Sequence, residues 1–146
     1  MKKVILSFDY ELFFGERSGT VDNSIIRPTE LLLNKLNRIN GKATFFVDYL
    51  MIKFLEAQPQ TVEDAQKITT QLQKIVRQGH RIELHIHPHW IDARYNGNGT
   101  WDFKDFTHYS LNSLPEETVS DMFTEGCNML NRIAGTVDPS YRIVAF

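Results

Sequence analysis

The stretch GHRIELHIHPHW (residues 79–90) sets a short strand-like run, Arg81–Leu84, directly before three histidines spaced two apart around Pro88. Proline fixes its own φ and steers the preceding residue, His87, away from helix, so the chain turns here. A buried strand that stops and then delivers polar side chains belongs to the parallel α/β folds, in which catalytic groups gather just past the carboxyl ends of strands. His85 ends that strand.

Outward from this point the chain alternates strands and helices. Upstream, a helix begins at Thr61 and ends at Gly79, with Ile68, Leu72, Ile75 and Val76 on one face. ATFFV (43–47) reads as a buried strand, and Val4 to Phe8 as another, with Asp9 following at once. Between them Pro28 opens a helix carrying Leu32, Leu36 and Ile39 at helical spacing, closed by Asn40-Gly41. Downstream, Ser113 and Glu116 suggest a capping box around Pro115. Its helix would bury Val119, Met122, Phe123, Leu130 and Ile133. YRIVAF (141–146) reads as a fourth strand. Such alternation predicts βαβ units and a parallel sheet.

Residues 91–114 are too long for a structureless connection. The Asn-Gly-Asn-Gly run at 96–99 favours a hairpin, and Tyr95, Trp101, Phe103, Phe106 and Tyr109 make the insertion rich in aromatics. The last residues are apolar, and a sheet ending there would leave an uncovered edge. The expectation is therefore a truncated single domain over 1–146, able to self-associate through its edges.

Composition narrows the function classes. The 146 residues carry a formal charge of −2, which gives no basic field for nucleic acid or an anionic membrane. The start MKKVILSFDY lacks the roughly 7–15 apolar residues of a secretory core, and no run approaches the roughly 18 needed to span a bilayer. One cysteine, Cys127, permits no internal disulfide. A cytoplasmic protein is expected, with its function in a local site.

Neutral imidazole is a common ligand for divalent transition metals. In a straight strand His85 and His89 would lie roughly 13 Å apart at ~3.3 Å per residue, but a turn at Pro88 brings them together. His85 and His87 could instead chelate from one strand face, about 6.6 Å apart. Asp9 and Glu11 end the first strand and share a face, with Tyr10 on the other. One carboxylate could complete a metal shell while the other holds a proton.

The order SFDYE, ATFFV and GHRIELHIHPHW resembles the first half of the polysaccharide deacetylase domain, the chitooligosaccharide-deacetylase-like carbohydrate esterases. The resemblance implies a distorted (β/α) barrel, here a partial one of about four parallel strands. It implies a divalent metal, usually zinc, and a carbohydrate substrate that loses an acetyl group. The family's first motif carries a base and a metal-binding acid. In the variant with one residue between them, these fall on Asp9 and Glu11. Its second motif, His-Ser/Thr-x-x-His-Pro, puts the metal-binding histidines on His85 and His89. Ile86 stands where that motif has Ser/Thr and Trp90 where it has Pro, while His87 is an additional or alternative ligand. Later family motifs supply a base-orienting arginine and a histidine acid. No residue here fills those roles, His108 included, so weak metal binding and little turnover are expected of this chain. Trp90 and Trp101 are candidates for stacking on sugar rings, against inward packing as a satellite core.

Two other readings stand beside this one. One is an amidohydrolase- or phosphoesterase-type metallohydrolase using His85 and His87 as an H-x-H pair. The other is a non-catalytic carbohydrate-binding module.

Overall fold

A computed structural model describes residues 4–15 and 17–146; Lys2 and Lys3 of the N-terminal reading lie outside the described residues. Three parallel strands, β1 (Ser7–Tyr10), β2 (Thr44–Asp48) and β3 (Arg81–His85), form a sheet in the order β1-β2-β3. The chain is mixed α/β, and the described residues form an open sheet rather than a closed barrel. The first strand starts later than Val4 because pairing begins where Ser7 meets Thr44; Val4 and Ile5 stay exposed.

Strand periodicity divides the sheet into two faces. Tyr10, Phe45, Val47, Ile82 and Leu84 are buried in the main core. The helices α1 (Arg27–Arg38), α3 (Val62–Arg77) and α4 (Glu116–Gly135) supply Leu33, Leu36, Ile68, Leu72, Ile75, Leu130 and Ile133 to that core. The opposite face carries Asp9, Phe46 and Glu83, which pair laterally across the three strands.

Most helix boundaries follow the sequence signals. Asn40 takes φ +50°, and the Gly41 N–H returns to the Leu36 carbonyl, which closes α1. Gly79 at φ +77° ends α3 in the same way. Ahead of α1, a π-helical stretch (Asp22–Ile26) extends the helix beyond Pro28, which sits in the first α-helical turn. The Asn-Gly-Asn-Gly turn joins β4 (Arg94–Gly97) to β5 (Thr100–Asp102) as the expected antiparallel hairpin.

Three expectations need correction. A further helix, α2 (Tyr49–Ala57), follows β2 without a break. Its sequence, YLMIKFLEA, buries Tyr49, Leu50, Met51, Ile52 and Leu55, so it continues the apolar run of β2 and hides the change of period. The Ser113–Glu116 capping box does not form. Pro115 occupies the N-cap of α4, and the Ser113 hydroxyl donates instead to the Ser110 carbonyl. Finally, residues 141–146 are not a strand. They run beside β3 through one backbone bond, Leu84 N–H to the Ala145 carbonyl at 3.1 Å. Side chains make the remaining links: the Tyr141 hydroxyl accepts from the Ile82 N–H and donates to the Ile82 carbonyl, and Glu83 accepts from Val144 and Ala145. Those side chains occupy the positions a ladder would use.

Candidate metal centre

The register of the sheet builds the site. Tyr10 pairs with Val47, and Asp48 pairs with His85, so the next row holds Glu11, Asp48 and His85 at the carboxyl ends of three adjacent strands. Beyond β3 the backbone stays extended through His87 (φ −112°, ψ 97°) until Pro88 opens a short 3₁₀ turn, Pro88–Asp92. With Ile86 between them, His85 and His87 project to one side, and their ring centroids lie 4.5 Å apart.

Glu11 Oε2 lies 3.2 Å from His85 Nε2 and 2.5 Å from His87 Nε2. One ligating atom from each of the three residues falls within 4.8 Å of the others. Glu11 Oε2 is buried, and its neighbours are the two imidazole nitrogens, which stand at ion-pair distance without the alignment of a regular hydrogen bond. Three half-buried ligating groups therefore converge on one point. One carboxylate oxygen facing two imidazole nitrogens is a set of groups that could hold a metal ion.

The electrostatics agree. Burial works against charge on Glu11, but the two imidazoles outweigh it and hold the carboxyl at about 2. Burial likewise disfavours a charged His87, yet Glu11, Asp48 and Asp9 together raise it above the ordinary imidazole value. Without a metal, a proton on His87 balances the Glu11 carboxylate; cation binding has to displace it.

The Pro88 turn does not bring His89 into this group. Its ring is buried among Phe14 (4.7 Å between centroids), Phe103 (4.9 Å) and Trp90, and Nδ1 has no hydrogen-bond partner. Burial, with the neighbouring His87 charge, lowers it to about 4. His85 and His87, the two-apart pair, thus approach Glu11, while His89 borders the site as a neutral ring. Asp9 is exposed on the same face as Glu11, two residues earlier.

Trp90 and Trp101 are each 1% exposed and offer no face to a ligand. Stacking on sugar is corrected to interior packing: the two indoles meet edge to face at 5.1 Å, and Phe103 closes on Trp90 at 4.8 Å. Such a cluster removes large apolar area from water, which a short insertion needs for stability.

Asp48 is the residue the sequence reading missed. It is buried, accepts 2.6 Å from Trp90 Nε1 and 3.4 Å from the His87 N–H, and so ties the histidine turn to β2. Burial raises it to about 6, partly offset by His87 and by the Trp90 bond. The signal is an acid directly after the strand ATFFV (43–47), at the strand's carboxyl end like Asp9 and Glu11. His108 lies in the insertion, held through Nδ1 by Asp92 at 2.9 Å. No helix among the described residues is long and apolar enough to cross a membrane. No protein-family model, curated protein or solved structure matches the chain.

Proposed function

We propose that the chain carries the metal centre and the base of a metal-dependent hydrolase that removes an acetyl group from an N-acetylated sugar, as members of the polysaccharide deacetylase family do. The observation that carries the reading is the convergence of Glu11, His85 and His87, with one ligating atom of each within 4.8 Å of the others around a buried carboxylate oxygen. These three residues would hold the ion. Three protein ligands with the remaining positions open is the catalytic rather than the structural arrangement. A divalent ion there, zinc by its donor set, would lower the pKa of water towards about 7 and polarise the acetyl carbonyl.

The chain's own residues supply the rest. Asp9, exposed on the same face, takes the proton of the water that adds to the acetyl carbonyl, and a proton delivered from solvent to the leaving nitrogen lets the C–N bond break to acetate and free amine. Asp48 holds the His87 backbone and Trp90, and so fixes where the imidazoles stand. The buried Phe103 and Trp90 rings pack against His89 on that side of the site.

The H-x-H spacing of His85 and His87 supports a second reading, an amidohydrolase- or phosphoesterase-type metallohydrolase on the same ligands. Calorimetric zinc titration of wild type and of His85→Ala, His87→Ala and His89→Ala tests the centre. Wild type should bind one ion, and the first two variants should each lose about tenfold or more in affinity, in line with loss of one coordinating side chain. His89→Ala should bind nearly as wild type. Loss in His89→Ala with His87→Ala intact restores the four-apart pair that the resemblance implies. No binding by wild type ends the metal reading. Acetate release from N-acetylglucosamine oligomers, however slow, lost in Asp9→Asn, separates deacylation from phosphate-ester cleavage.

A further inference from the structure

The insertion that buries Trp90 and Trp101 leaves other rings outside. Phe14, Phe106 and Tyr109 are 41, 58 and 59% exposed. They are also in mutual contact: Phe14 meets Phe106 at 5.3 Å and Tyr109 at 5.6 Å, and Phe106 meets Tyr109 at 6.0 Å. Contiguous exposed aromatic surface of this kind is costly to a soluble chain and marks a contact site.

The platform is held in place. Asp105 Oδ1 accepts from the Thr107 N–H and hydroxyl, the Tyr109 N–H returns to the Phe106 carbonyl, and Asp92 anchors His108 through its backbone N–H and ring. Phe106 also lines a cavity of about 610 Å³ with Arg94, Asp102 and Asp105. Asp102 and Asp105 each commit one carboxylate oxygen to the loop backbone, which orients the carboxylates at the cavity wall. Planar charged groups of both signs beside an exposed ring suit a ligand with an apolar face and a rim of hydroxyls, and the volume is that of a small-molecule site. Phe14 joins this surface to the metal centre, since its ring meets His89 edge-on.

We infer that Phe14, Phe106 and Tyr109, with the Arg94–Asp102–Asp105 rim, form a glycan subsite that stacks one pyranose ring of the substrate chain and so feeds the neighbouring centre. This deepens the deacetylase reading and rests on it for the choice of ligand.

The test is calorimetry of the full chain with a β-1,4-linked N-acetylglucosamine tetramer, in chelator and then in zinc. Wild type should bind the tetramer in chelator as well as in zinc. Phe106→Ala and Tyr109→Ala should each weaken binding by about tenfold, the order of one anchoring side chain, with melting temperature and zinc affinity unchanged. His87→Ala should lose zinc and keep the sugar, so failure of the metal reading leaves this result standing. No binding of the tetramer by wild type, or equal binding by Phe106→Ala, overturns the subsite. Concentration-dependent self-association lost in Phe106→Ala, without glycan binding, overturns it in favour of a contact between copies.

Discussion

His89 and Asp48 are buried ionisable groups pushed in opposite senses, and together they set how the fold responds to acid. His89 is lowered to about 4, so between the free imidazole value of about 6.5 and that point the unfolded chain takes the proton first and stability falls as pH falls. His80 is lowered as well, chiefly by burial, and adds to the same trend. Asp48 is raised to about 6; the folded chain takes its proton first, so its contribution rises as pH falls from about 6 towards the free value. His89→Phe keeps a ring in the aromatic enclosure and removes the first effect. Thermal melts at pH 7 and pH 5 should show the variant losing less stability than wild type, by on the order of 1–2 kcal/mol. An unchanged difference between the two pH values would mean that His89 is not held neutral.

At the scale of elements, the tightest constraint is Gly126 in the middle of α4. A Cβ there would meet Leu84 Cδ1 at 2.5 Å and the Tyr49 ring at 2.9 Å. The helix therefore lies against the end of β3 and the start of α2, the two elements that carry His85 and follow Asp48. Alanine at 126 gains about 1 kcal/mol of helix propensity, but overpacking a fixed core costs about 1–3 kcal/mol. Both neighbours are fully buried and cannot swing aside. Gly126→Ala should lower stability by about 1 kcal/mol in denaturant unfolding; a rise would show that α4 can lift off the sheet at no cost. Elements with clean periodicity, α1 and α3, were legible in the sequence. α2 was not, because its first turn, residues 49–52, is buried all round and prolongs the apolar run of β2 before Lys53 and Glu56 show a polar face.

Across the whole molecule, the third strand's outer edge is closed by side chains rather than by a further strand. The Tyr141 hydroxyl alone satisfies both the N–H and the carbonyl of Ile82, and the Arg81 guanidinium lies 4.7 Å over its ring. Tyr141→Phe keeps the ring and leaves two buried backbone groups unpaired, which should cost about 1–3 kcal/mol. Chemical denaturation measures that loss, and amide exchange should show faster opening at Ile82. A variant as stable as wild type would show that water already serves that edge.

The sequence by itself determined the three parallel strands, the helices α1, α3 and α4 that alternate with them, the hairpin at 96–99 and the clustering of acids and histidines past strand ends. Those features are local: periodicity, turn chemistry and the reach of a few residues of backbone are carried in the chain itself. Only the tertiary structure decided which histidine approaches Glu11, because a shift of one turn at Pro88 separates His87 from His89 and spacing allows both. It also decided that Asp48 belongs to the site, through the lateral register of three strands distant in sequence. In the insertion, every aromatic looked alike in sequence. Burial against β2 and α2 took Trp90 and Trp101 inward and left Phe106 and Tyr109 at the surface, since only the packed whole defines an inside.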